Sequence, residues 1–334
     1  MDQMTMTLWD GREIPRLGVG GWPIAGPFFA GDLPLGYGAV EDRDAVNLLR
    51  RAADGGVRFF DTAAVYGAGH SETLFGEAFG NRDDVVIATK FGPVFDVETK
   101  QVTGQDLSPD HPRHAVEASL KRLRRERIDL YQLHLNSAPP AAAAAIFDAL
   151  DGLVRDGKIG AYGWSTDFPA SVEAVAPRPG FVAVQHTMNL FFDAPTMLAT
   201  VERLGLISID RMPLAMGVLG GELGAAYTPP ADDVRRNSFD WMDYFRDGRI
   251  VPAFAQRLAA VRELLETGGR SPAQGALGWL WAKSKATLPI PGFRTLRHAD
   301  DTIGALAHGP LPQAVMDEIE ALIEREPEGP PRER

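Results

Sequence analysis

Apolar residues along this chain follow two alternating periods. Short apolar-rich runs such as Val85-Val86-Ile87-Ala88 and Ile128–Leu133 carry β-branched and aromatic residues, as strands buried on both faces do. Between such runs the apolar positions recur every three or four residues. Ala45, Val46, Leu48, Leu49, Ala52 and Ala53 do so over 43–54 and stop at Gly55-Gly56, the pattern of an amphipathic helix. Strands are expected at Leu17–Gly21, Phe59–Asp61, Val85–Lys90, Ile128–His134, Ile159–Ser165, Val182–Gln185 and Leu206–Arg211, with a last strand and turn at Leu288–Gly292. Helices are expected over 43–54, after Ser71 as a cap, and at His111–Arg125, Ala141–Arg155, Pro169–Ala176, Pro195–Leu204, Pro252–Glu266, Ser271–Lys283 and Pro312–Glu324. Strict strand–helix alternation means a parallel sheet, and about eight units favour a closed (β/α)8 TIM barrel over an open sheet. No G-x-G-x-x-G opens the first helix, which speaks against a dinucleotide fold of the open type. Residues 5–15, turning at Asp10-Gly11, read as a β-hairpin outside the repeat, placed to plug the barrel bottom. The expected organisation is one barrel domain over 1–326 and a polar, Pro-rich, disordered tail at 327–334.

Three successive strands end in chemistry-bearing residues: Asp61, Lys90 and His134, with Tyr66 on the loop after the first. Each alone has an ordinary reading, as a cap, a surface lysine, a core histidine or a surface tyrosine. In a barrel they converge on the carboxyl face, where catalytic groups sit. A phenol has a pKa of about 10. A nearby ammonium lowers it, so Lys90 is expected to tune Tyr66 toward neutrality, with Asp61 keeping Lys90 charged. His134 can donate a hydrogen bond to a carbonyl oxygen or assist proton transfer. Such a set delivers a proton to an oxygen that is gaining negative charge.

Composition narrows the electron donor. The chain of 334 residues has no cysteine, which excludes disulfides, thiolate metal sites and cysteine nucleophiles. No metal-like ligand cluster is visible, so the donor is expected to be a bound organic cofactor. The net charge of −11 argues against a nucleic-acid surface or an anionic membrane. The opening Met1-Asp2-Gln3-Met4 starts no signal peptide, and no apolar run approaches the roughly 20 residues needed to span a bilayer. A cytoplasmic protein is the default expectation.

Asp61-x4-Tyr66-Gly67, Ala88-Thr89-Lys90, Leu133-His134 and Pro291-Gly292-Phe293-Arg294 together resemble the aldo-keto reductase superfamily over nearly the whole chain. The resemblance implies NADPH-dependent reduction of an aldehyde or ketone, with Tyr66 as general acid, Lys90 and Asp61 as its tuning pair and His134 orienting the substrate. It implies NADP(H) contacts from Gly21, Trp22 and Asp61, from Ser165, Thr166 and Gln185, and from Arg211, Pro213, Leu214, Met216 and Gly217. Further contacts are implied from Ile290, Gly292, Phe293, Arg294, His298, Asp301 and Thr302. Arg294, after the last strand, offers a fork suited to a 2′-phosphate. The segment Arg211-Met212-Pro213-Leu214-Ala215-Met216-Gly217 resembles a subgroup with Arg where many members stack an aromatic on the nicotinamide, and a guanidinium can stack too. His298, Asp301 and Thr302 stand where many members have Gln, Glu and Asn. Two alternatives stay open: a nucleotide-sensing barrel with slow turnover, and an aldolase using Lys90 as a Schiff base. The expected substrate walls are Trp22 with loop 23–38, Phe91–Val97, Asn136, and loop 219–249 with Trp241, Tyr244 and Phe245. Gly20 and Gly21 permit close approach of a ligand or another backbone.

Overall fold

The structure is a computed structural model that describes residues 4–80, 82–224 and 226–329. Eight strands pair in parallel in chain order: β1 (Gly18–Gly20), β2 (Phe59–Asp61), β3 (Val86–Phe91), β4 (Ile128–Leu133), β5 (Ile159–Ser165), β6 (Phe181–Thr187), β7 (Ile207–Arg211) and β8 (Thr287–Pro289). At the seam the Gly20 amide donates to the Pro291 carbonyl at 3.0 Å. A Cβ on Gly18 would meet the Ile290 side chain at 2.8 Å, and one on Gly20 the Ile290 carbonyl oxygen at 2.9 Å. These glycines therefore let the first and last strands meet. Gly21 is pressed against the Phe75 ring and Ser71 of the helix at His70–Phe79, so another part of the chain makes the close approach at all three.

Helices cover the barrel: α1 (Asp42–Asp54), α2 (His70–Phe79), α3 (His111–Leu123), α4 (Pro140–Arg155), α5 (Pro169–Val175), α6 (Pro195–Leu204), α7 (Pro252–Leu265), α8 (Pro272–Lys283), α9 (Leu296–His308) and α10 (Gln313–Leu322). Pro opens several of them, where its missing N–H costs nothing. Ser271 and Gln274 form a reciprocal capping box on α8. Ser71 does not cap α2. Gly69 holds that position, and Ser71 sits buried one residue inside the helix, accepting from the Thr62 hydroxyl at 2.7 Å. Helix α9 is absent from the sequence expectation; Thr295 caps it by accepting from the His298 amide.

Period-two alternation along the strands decides what faces the barrel interior. Phe59, Val86, Ala88, Leu130, Ala161, Ala183 and Ile209 fill that interior. The hairpin pairing Thr5–Thr7 with Glu13–Pro15 adds Leu8 and Ile14 from below. Two or four residues farther along the same parity stand Asp61, Lys90, Gln132, His134, Ser165, Gln185 and Arg211. The inward face is thus apolar at the bottom and polar at the top. The opposite parity packs on the helices: Phe60 against Phe79, and Tyr162 and Trp164 against Phe147.

Two hairpins stand above the barrel mouth, Phe29–Ala30 with Leu33–Pro34 and Pro93–Phe95 with Val102–Gln105. The Gln101 amide ties them together by exchanging two hydrogen bonds with the Gly31 backbone. Loop 219–249 buries Val234, Met242, Tyr244 and Phe245. After α10 the chain runs without regular structure, where Glu326 pairs with Arg257 and Glu328 accepts from Thr196. Residues 330–334 of the expected tail lie outside the described residues. Among the described residues no helix is long and apolar enough to cross a membrane, and no group of three or more His, Asp or Glu could hold a metal ion.

Candidate active site

Lys90 is fully buried at the top of β3. Its ammonium donates to Asp61 Oδ2 at 2.6 Å, to the Thr62 carbonyl at 2.9 Å and to Tyr66 Oη at 3.4 Å. Three N–H bonds thus meet three acceptors. Burial alone would strip the charge from Lys90, but the Asp61 carboxylate and the Tyr66 oxygen together outweigh it and hold the ammonium above its ordinary range. Asp61 is fixed from its other side: Oδ1 accepts from the side-chain amides of Gln185 at 2.9 Å and Gln132 at 3.1 Å. Gln132 was not among the expected site residues. Its signal is its parity, two residues before His134 on the same strand.

Tyr66 sits in a tight turn after β2, where its amide donates to the Ala63 carbonyl. Its ring meets His134 edge-on at 5.7 Å and stacks on Trp22 at 6.1 Å. The phenol does not titrate as the sequence suggests. Burial raises it, Lys90 and Arg211 pull it down, Asp61 opposes them, and the net shift is upward from the ordinary value. Burial, with the Lys90 and Arg211 charges, holds His134 well below its ordinary range, so the imidazole is neutral at neutral pH. Its Nδ1 is buried without a hydrogen-bond partner among the described residues.

Tyr66 and His134 line a cavity of about 1030 Å³ that also reaches Arg294 and His298 at the start of α9. Among the expected cofactor residues, Trp22, Asp61, Ser165, Gln185, Arg211, Pro213, Leu214, Met216 and Gly217 are on its wall. So are Ile290, Gly292, Phe293, Arg294, His298, Asp301 and Thr302. Gly21 and Thr166 are not: Gly21 abuts α2, and Thr166 turns its hydroxyl onto the Asn136 carbonyl at 2.6 Å. Of the expected substrate walls, Trp22, Phe28, Tyr37, Pro93, Asn136 and Trp241 line the cavity. Phe91 instead stacks on Tyr131, and Tyr244 and Phe245 are buried off the wall.

Arg211 is held edge-on by its neighbours. It donates to Ser165 Oγ at 2.8 Å, Thr187 Oγ1 at 3.2 Å, Asn136 Oδ1 at 3.4 Å and the carboxylate of Asp167. Asp167, absent from the expected set, lies two residues after β5. Arg294 is also engaged: its fork grips the carbonyls of Tyr37 and Ala39 rather than standing free. At the rim Glu222 accepts from Arg297 at 2.6 Å and lies 3.0 Å from His298, while Asp301 accepts from the Ser271 cap at 2.8 Å. The Arg297 contact holds Glu222 down to about 2.

The sequence profile of the Aldo/keto reductase family matches residues 16–324. The chain belongs to this family. An uncharacterized oxidoreductase of Bacillus subtilis is 31% identical over 80% of this chain and 83% of its own length. An aldo-keto reductase of Schizosaccharomyces pombe whose name carries NADP(+) is 28% identical over 81% and 80%. The glycerol dehydrogenase of Gluconobacter oxydans superposes with a TM-score of 0.79 at 26% identity, over 98% of this chain and 99% of that one. That chain thus shares this overall fold.

Proposed function

We propose that this aldo-keto reductase uses NADPH to reduce an aldehyde or ketone to an alcohol, with Tyr66 as general acid. The observation that carries the reading is the three-way contact of Lys90, which sets a buried, Asp61-paired ammonium beneath a phenol whose ring lines the cavity. A dinucleotide fits what lines that cavity. Arg294 meets neutral carbonyls and has no carboxylate partner among the described residues. Beside it lies the N-terminus of α9, where the amides of Leu296 and Arg297, unlike that of His298, are not taken by the Thr295 cap, an arrangement that attracts phosphate. The name of the S. pombe relative supports NADP(H) as that dinucleotide.

When bound, the reduced nicotinamide supplies a hydride to the carbonyl carbon. The chain handles the oxygen. Neutral His134 can donate a hydrogen bond to it, fixing its position between imidazole and phenol. Tyr66 keeps its proton at neutral pH because its pKa lies above the ordinary value, and it releases the proton as the oxygen gains negative charge. The phenolate left behind is stabilised by the Lys90 ammonium, which Asp61, Gln132 and Gln185 hold in place. This arrangement counts against the Schiff-base alternative. Lys90 is charged, saturated and off the cavity wall, whereas an imine-forming lysine needs a free neutral amine.

Following NADPH oxidation with a panel of aldehydes tests the reading. Tyr66→Phe should lower kcat by roughly 10²–10⁴ with NADPH affinity nearly unchanged. Normal turnover in that variant rules out Tyr66 as the acid.

A further inference from the structure

At the cavity wall, Arg211 forms an ion pair with Asp167 behind it that the proton-delivery chemistry leaves unused. Their side chains are 15% and 16% exposed. Asp167 is held from three strand ends. Its amide donates to Asn136 Oδ1 at 2.8 Å, its Oδ1 accepts from the Thr187 amide at 2.8 Å, and its Oδ2 takes an Arg211 N–H. Arg211 has bonds at Nε, Nη1 and Nη2, so its plane is set. Carbonyl reduction requires the nicotinamide to lie within reach of a carbonyl held by Tyr66 and His134. Arg211 lines the chamber containing both, and its charge acts on both. The reduced ring is neutral; the oxidised ring carries a positive charge.

We propose that Asp167 is a positioning residue that fixes the orientation and partly cancels the charge of Arg211, and that this pair sets how strongly the site distinguishes reduced from oxidised nicotinamide. The inference rests on the carbonyl-reductase reading of the same cavity. A guanidinium facing the nicotinamide repels the oxidised ring and not the reduced one, which favours the reduced nucleotide and speeds loss of the oxidised product. Asp167 moderates that repulsion, so the oxidised form still binds and the reverse reaction stays open. Ser165 belongs to the same device: because its Oγ accepts from Arg211, its own proton is directed elsewhere.

The test is the dissociation constants of NADPH and NADP+, measured by quenching of tryptophan fluorescence on the full chain. Asp167→Asn keeps the shape and the oxygen that accepts from Thr187, and removes the charge. The ratio Kd(NADP+)/Kd(NADPH) should rise roughly three- to tenfold, the size expected for one unscreened charge several ångströms away in a partly solvated site. Arg211→Gln should move the ratio the other way, below wild type, and it carries the test by itself if Asp167→Asn does not fold. Asp167→Glu should keep the ratio near wild type. Shifts of both charge-removing variants in the same direction, or an unchanged ratio in either of them when folded, overturn the proposal. If wild type binds both nucleotides and oxidises NADPH with aldehydes while the ratio stays fixed, this inference fails and the carbonyl-reductase reading stands. If wild type binds neither nucleotide, both fail.

Discussion

Asp61 and Asp210 are the same residue type at the upper ends of two strands of one barrel, and both are buried. Their surroundings make them chemically opposite. Asp61 has the inward parity, and its carboxylate forms an ion pair with Lys90 and accepts from two glutamines. Asp210 has the outward parity. Its Oδ1 accepts from the Ser208 hydroxyl at 2.7 Å, that hydroxyl lies 2.7 Å from His186 Nε2, and its Oδ2 has no partner among the described residues. Arg16 pulls on Asp210 only from a distance, because its guanidinium is engaged by Ser284 and Thr287. Burial therefore pushes the Asp210 carboxyl up to about 8, and it is neutral at neutral pH. Burial by itself makes no ion-paired carboxylate. A cation delivered by a neighbouring strand does.

The harshest way to break this contrast is to give Asp61 the surroundings of Asp210. Lys90→Met should lower stability by about 3–5 kcal/mol, the usual result of leaving one member of a buried ion pair behind, and should abolish turnover. Adding Asp61→Asn should restore part of the stability and none of the activity; urea midpoints and NADPH oxidation report the two separately.

Next in size is the pH dependence from Asp210. Its folded pKa, about 8, lies above its ordinary value of 3.8. The folded state therefore holds the proton more tightly, and stability is lost as pH rises through about 8, at up to about 1.4 kcal/mol per pH unit. His186, lowered by burial to about 4, has the opposite sign and loses stability as pH falls below its ordinary 6.5. Urea midpoints between pH 6.5 and 8.5 thus isolate the aspartate. Asp210→Asn should flatten the decline there and exceed wild type in stability at pH 8.5. A decline equal to wild type would mean that the carboxyl is already ionised.

A third measurement concerns Tyr66. Its raised pKa keeps it protonated, so the reduction rate should stay flat from pH 7 to 9. An alkaline limb centred near 8 in kcat would mean that Lys90 prevails over burial. The smallest effect belongs to an exposed pair. Glu222 and Arg297 bridge the cavity rim at side-chain exposures of 46% and 68%, so Glu222→Gln should cost less than about 1 kcal/mol by thermal denaturation.

The sequence carried the architecture because strand and helix periods are local properties of the backbone. Short apolar-rich runs marked seven of the eight barrel strands, the last of them shifted (Thr287–Pro289 against an expected start at Leu288), and the glycine pair marked the first. The site was readable for a related reason. Asp61, Lys90 and His134 end strands whose inward parity is fixed two or four residues earlier by Phe59, Ala88 and Leu130. Helix α9 was not readable, because its buried face is Ala299, Thr302 and Ala305, which offer little hydrophobic contrast. The charge states were not readable either. Asp61 meets Lys90 across 29 residues and Gln185 across 124, and Arg294 meets Tyr37 across 257. The chain alone determined which groups point into the barrel mouth. Tertiary structure decided which are charged, which are engaged by neighbours and which face the cavity, because those depend on the distance to partners far away in sequence and on exclusion of water.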